Sequence, residues 1–67
     1  DIYVIDNKLV LENVDASGLS IFNTSGQIVK KAAAVSSEVD LSDLNKGIYI
    51  VTVTLTNGKA IHKKVIL

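Results

Sequence analysis

The stretch Leu44-Asn45-Lys46-Gly47-Ile48-Tyr49-Ile50-Val51-Thr52-Val53-Thr54-Leu55, with Asn57-Gly58 and the run Lys59 to Leu67 behind it, decides the fold. From Ile48 to Leu55 every residue except Tyr49 and Leu55 is β-branched, and such side chains are stiff at χ1 and suit a pleated surface. Apolar residues on both faces make this a central strand. Asn57-Gly58 then turns the chain back. A two-residue loop would set Val53 opposite His62. A three-residue loop with Gly58 in a bulge sets Val53 opposite Ile61 and Tyr49 opposite Val65, apolar against apolar, and is the register expected. Ahead of the strand, Leu44-x-x-Gly47-x-Tyr49 has the spacing of a tyrosine corner, in which the phenol folds back onto a nearby backbone group where a Greek-key chain crosses between sheets. A buried Tyr needs such a partner, so Tyr49 reads as structural rather than as a ligand-stacking ring.

Working upstream, short β-rich runs alternate with turn signals, a spacing that favours a sandwich or barrel over βαβ units. Ile2 to Ile5, Asp6-Asn7, and Lys8 to Glu12 form a first hairpin, which runs into the small polar stretch Asp15-Ala16-Ser17-Gly18, read as a turn. Leu19 to Asn23, Thr24-Ser25-Gly26, and Gln27 to Lys31 form a second, with Gly26 free to take the positive φ that tight loops demand. Leu19, Ile21 and Asn23 fall on one face, Ser20 and Phe22 on the other. Ala32-Ala33-Ala34 favours helix, but with too few apolar neighbours to sustain one it reads as a strand end and loop. Ser37 to Leu41 is a further short strand, and Ser42-Asp43-Leu44 a tight turn capped by the Ser42 hydroxyl. The expectation is an all-β, small immunoglobulin-like antiparallel β-sandwich of about seven strands, occupying residues 1–67 as a single domain.

Composition agrees. The chain has 67 residues and no Cys, so no disulfide staples it and an apolar core must hold it together. Val, Ile and Thr number nine, eight and four, while Pro is absent. Seven Lys balance seven acids, and zero net charge removes the basic footprint of a nucleic-acid binder. No apolar run approaches the roughly 18 residues of a membrane span, so no direct membrane insertion is expected. The first residues also lack the basic and apolar regions of a signal peptide.

Motifs for catalysis are missing. His62, the one histidine, stands beside Lys63 and Lys64 without a second metal ligand or the partners of a triad, and reads as a half-exposed strand residue. Asp40 and Asp43 read as a solvated turn with an Asx hydrogen bond rather than as acid-base or calcium chemistry. No glycine-rich phosphate loop occurs. No enzyme, cofactor or metal is expected. Charge is nevertheless segregated: residues 1–45 hold all seven acids and three Lys, a sum of −4, and residues 46–67 hold four Lys and no acid, a sum of +4. Basic and acidic strands lying side by side would explain this, as would lysines guarding an edge strand; Lys63 and Lys64 facing an acidic receptor is the functional alternative.

Three blocks carry a family resemblance. They are Leu19-Ser20-Ile21-Phe22-Asn23-Thr24-Ser25-Gly26-Gln27-Ile28-Val29, then Val39-Asp40-Leu41-Ser42-Asp43-Leu44-Asn45-Lys46-Gly47-Ile48-Tyr49-Ile50-Val51, then Lys63-Lys64-Val65-Ile66-Leu67. In this order they closely resemble the type A C-terminal sorting domain of the type IX (Por) secretion system of Bacteroidetes. The resemblance covers residues 19–67; the Pro-Asn-Pro segment that often opens such domains is missing, and the first 18 residues match loosely. It implies an immunoglobulin-like domain at the end of a larger exported protein, a secretion signal that directs this cargo across the outer membrane to the cell surface or medium by way of the periplasm. The implied partners are the outer-membrane secretion machinery, a sortase-like peptidase that removes the domain, and the cargo N-terminal to it. By the same resemblance Lys63, Lys64, Val65, Ile66 and Leu67 fall on the recognised terminal strand, while Gly26, Leu44, Gly47 and Tyr49 keep the fold.

Two other functions compete. An adhesive or carbohydrate-binding module would need a platform of exposed aromatic rings, for which only Tyr3, Phe22 and Tyr49 are available. A passive spacer in a surface protein would give the last five residues no special role.

Overall fold

The expected register between the last two runs is the one observed, with Tyr49 opposite Val65 and Val53 opposite Ile61. Its cause is the three-residue loop: the Leu55 N–H donates to the Lys59 carbonyl at 2.7 Å, and Gly58, at φ 90°, donates back to Leu55 at 3.0 Å. A side chain at Gly58 would be strained by that left-handed backbone.

The computed structural model describes residues 1–33 and 37–67. Among the described residues there are seven strands: β1 (Ile2–Ile5), β2 (Lys8–Leu11), β3 (Ala16–Phe22), β4 (Ile28–Ala32), β5 (Glu38–Asp40), β6 (Ile48–Leu55) and β7 (Ala60–Ile66). They form two antiparallel sheets, one of order β1-β2-β5 and one of order β4-β3-β6-β7. The chain changes sheet after each hairpin, which makes the immunoglobulin-like sandwich. Alternation along the strands sends Ile2, Leu9 and Leu11 from the smaller sheet and Leu19, Ile21, Tyr49, Val51, Val53 and Val65 from the larger into one core, joined by Leu41. Each fully buried aliphatic side chain contributes about 1.5–3 kcal/mol relative to exposure.

The β1–β2 hairpin closes on Asp6 and Asn7 alone, at φ 51° and 59°, with Ile5 paired to Lys8. Asp and Asn tolerate that left-handed pair of residues, which matches the twist of the strands they join. As expected, β6 is central, between β3 and β7. Its second face is not covered, however, and Ile48 and Ile50 stay 43% and 37% exposed.

Several local readings need correction. Ala16 to Gly18 is not a turn but the start of β3. The eight-residue β6 offers Leu55 and Thr54 as partners for Ala16 and Gly18, a bulge absorbs Ser17, and the Ser17 hydroxyl donates to the Thr54 carbonyl at 3.3 Å. Asn23 does not share the core face; its Oδ1 accepts the N–H groups of Ser25 and Gln27, both at 3.0 Å, and shapes the β3–β4 turn. The turn after β5 is held by Asp40 rather than by the Ser42 hydroxyl, since Asp40 Oδ1 accepts the Ser42 N–H at 3.0 Å and Leu44 N–H donates to Leu41 at 3.0 Å. Ala34, in the alanine run, lies outside the described residues.

The Asx bond at Asp40 has a pH signature. Hydrogen bonding from the Ser42 N–H, then from its hydroxyl, lowers the Asp40 pKa below the ordinary 3.8. A carboxylate depressed in the folded state stabilises above its unfolded pKa, and that contribution disappears as pH falls through the folded value. A side-chain carbon NMR titration is expected to place Asp40 below 3.8, and Asp40→Asn to remove its share of the acid sensitivity. A midpoint at or above the ordinary value would show that the bond is not held in solution.

Candidate functional site

The terminal strand is fastened by the corner that precedes β6. Gly47 and Leu67 exchange both backbone bonds, Leu67 N–H to Gly47 at 2.8 Å and Gly47 N–H to Leu67 at 3.2 Å. Gly47 reaches this position at φ 154°, a backbone that L side chains rarely adopt. Two residues on, Tyr49 is 9% exposed, lies opposite Val65, and donates its hydroxyl to the Asn45 carbonyl at 2.7 Å. The tyrosine corner read from the spacing is therefore present. Leu44 and Leu67, both half-buried, pack against the same core.

These contacts bring Leu44, Gly47, Tyr49, Val65 and Leu67 together. Gly26 is elsewhere, in the β3–β4 turn, where it takes φ 85° and donates to the Asn23 carbonyl at 3.0 Å. Lys63, Lys64 and Ile66 are exposed, Ile66 at 68%. Lys63 and Lys64 have no ion-pair partner among the described residues, whereas Lys30 of β4 pairs with Asp43 at 3.0 Å. His62 is exposed as well and shares a 3.0 Å hydrogen bond with the hydroxyl of Thr52, its cross-strand neighbour. Among the described residues no group of three or more His, Cys, Asp or Glu could hold a metal ion.

One property of this region escaped the sequence reading. β3, β4, β6 and β7 contain Lys30, Lys31, Lys63 and Lys64 and not one carboxylate, whereas the strands of the smaller sheet carry Glu38 and Asp40 beside Lys8. On the outer face of that sheet, Ile28, Phe22 and Ile50 form a row that ends at Lys64, with Ile48 and Ile66 paired beside it. The alternation in β6 signalled this face, yet its partners in β3 and β4 depend on long-range pairing that one strand cannot reveal.

A groove of about 330 Å³ separates β7 from β1 and is lined by Asp1, Ile2, Tyr3 and Val4 on one side and Lys63, Lys64, Val65 and Ile66 on the other. Both strands are sheet edges.

The family described as "Secretion system C-terminal sorting domain" matches residues 1–67, including the first 18 that the three motif blocks leave out. Beta-agarase D of Zobellia galactanivorans is 28% identical over 47 residues. That similarity covers 70% of this chain and 10% of the agarase, so the chain spans about a tenth of the length of this relative.

Proposed function

Because the chain belongs to the family of secretion system C-terminal sorting domains, the sorting signals of type IX secretion, we propose that it is read as a folded unit through its terminal strand. The signal of this family sits on a cargo protein and implies export across the outer membrane to the cell surface or the medium. In the proposed reading the cargo lies N-terminal to residues 1–67, an outer-membrane component of the machinery recognises Lys63 to Leu67, and a sortase-like peptidase separates domain from cargo. The domain itself performs no catalysis. One observation carries the reading: the corner anchors Val65 and Leu67 while Lys63, Lys64 and Ile66 of the same strand remain in solvent. A strand held in this way presents side chains at fixed positions to a partner.

The carbohydrate-binding alternative has no platform to stand on. Tyr49 is buried with its hydroxyl engaged, and Tyr3 and Phe22 belong to different sheets.

The test fuses the chain to a reporter in a host with type IX secretion. The wild-type domain is expected to deliver the reporter outside the cell. Lys63→Gln with Lys64→Gln is expected to change stability by less than about 1 kcal/mol, since exposed charges contribute little, yet to reduce export severely. Export at the wild-type level by a correctly folded double variant would sink the terminal-strand reading and favour a passive spacer.

A further inference from the structure

The backbone of β7 has one side spoken for and one side open. Gly47 and Leu67 exchange both of their bonds, and hydrogen-bonded pairs alternate along an antiparallel ladder. Tyr49–Val65, Val51–Lys63 and Val53–Ile61 therefore bond inward as well, a phase confirmed at the far end by the Leu55 to Lys59 bond. The N–H and C=O groups of Ala60, His62, Lys64 and Ile66 point the other way, those of Lys64 and Ile66 into the groove beside β1. The opposing edge of β1 is partly closed, because the Asp1 carboxylate accepts the Ile2 N–H at 3.0 Å.

Side chains along this edge follow a simple order. Lys63 lies opposite Val51, which is 0% exposed, so Lys63 stands on the core side of the sheet and yet remains in solvent at its rim. Val65 is buried on that same side. On the outer side, Lys64 closes the apolar row through Ile50, and Ile66 lies beside Ile48. Reading along β7, each side of the sheet thus offers one lysine and then one aliphatic residue.

We propose that β7 takes up an extended acidic peptide segment of a partner protein as an added antiparallel strand, with apolar, apolar, acidic and acidic residues, in that N-to-C order, opposite Ile66, Val65, Lys64 and Lys63. Main-chain bonds to Ile66, Lys64 and His62 supply the pairing, and the side chains on alternate faces set the register. Charge complementarity selects the occupant. A second copy of β7 is disfavoured: with the strand centres aligned, antiparallel self-pairing puts Lys63 against Lys63 or Lys64, and like charges directly opposite are destabilising. A core-side lysine on an edge strand guards against indiscriminate pairing, and only a partner that brings an acid there neutralises it. The inference deepens the proposed reading of the terminal strand, and rests on it only in placing the partner within the secretion machinery.

The probe is an acetylated, amidated octapeptide, Thr-Thr-Val-Ile-Glu-Glu-Thr-Thr, titrated into the ¹⁵N-labelled chain. The expected result is chemical-shift change centred on His62, Lys64 and Ile66, with slowed hydrogen exchange of those three amides. An order-scrambled peptide of equal composition is expected to bind about tenfold more weakly, the equivalent of about 1.4 kcal/mol. Lys64→Pro removes an outward N–H that the fold does not use, and proline is tolerated at such edge positions, so folding is expected to survive and binding to be lost. Lys64→Gln separates the charge from the N–H and is expected to weaken binding without abolishing it. Lys63→Glu with Lys64→Glu is expected to prefer the peptide in which both Glu are Lys, which keeps the question decidable if the proline variant fails to fold. Equal binding of the scrambled peptide, shifts confined to other strands, or unreversed preference in the charge-swapped chain would overturn the proposal. Should the wild-type domain export its reporter while the peptide fails to bind, the strand-addition inference falls and the sorting reading stands; if the peptide binds and the reporter stays inside the cell, strand addition stands and the sorting reading falls.

Discussion

Leu9→Ala is expected to leave a large part of the population unfolded in mild denaturant. Leu9 is 0% exposed, in the middle strand of the smaller sheet, between Val4 of β1 and Val39 of β5. Truncating a buried Leu costs about 2–5 kcal/mol, the spread reflecting how far the cavity can collapse. A chain of 67 residues has a total of about 3–10 kcal/mol at the usual stability per residue, so the loss is a large fraction of the whole. Three strands cannot redistribute a hole as a large core can. Urea unfolding followed by far-ultraviolet circular dichroism checks it, with Ile5→Ala as control: Ile5 is 54% exposed and its truncation should stay within about 0.5 kcal/mol. Similar midpoints for the two variants would mean that the sheets do not pack as described.

Tyr49→Phe should cost about 1–3 kcal/mol, from a single oxygen atom. The phenol donates at 2.7 Å to the Asn45 carbonyl from a side chain otherwise sealed in the core, and phenylalanine removes that bond. Because the bond goes to the main chain, Asn45→Ala should be nearly silent. The comparison of denaturation midpoints therefore distinguishes a corner bond from a general dislike of change at the β5–β6 connection. An unaltered midpoint in Tyr49→Phe would show that the bond contributes nothing.

The sequence is most legible where local chemistry and pattern agree. Asp6-Asn7 and Gly58 turn the chain because those residues accept positive φ, and the three-residue loop around Gly58 sets the β6–β7 register that the apolar match of Tyr49 with Val65 favours. The corner is readable for the same reason: Leu44, Gly47 and Tyr49 act within six residues of one another. What depends on distant partners is less visible. Ala16 to Gly18 look like a turn by composition, and become strand because β6 is long enough to pair with them. Asn23 alternates in phase with Leu19 and Ile21, but its amide serves the turn better than it could serve a core. The terminal residues of the candidate site come from the family resemblance, whereas the open side of β7 and its place across from β1 emerge only when both sheets are assembled.

The placement of β6 also has a kinetic consequence. β3 finds its central partner some thirty residues later in the chain, while β6 and β7 are joined by a short loop. Local hairpins close in about 1–10 μs, whereas pairing across long intervening segments is slow because closure entropy is lost before contacts return it. During synthesis, residues 1–47 contain the strands of the smaller sheet and one hairpin of the larger, but lack the partner of β3 and the core residues Tyr49, Val51, Val53 and Val65. The nascent domain stays pliant until the final third of its length has emerged, and then closes in one cooperative step around its last hairpin.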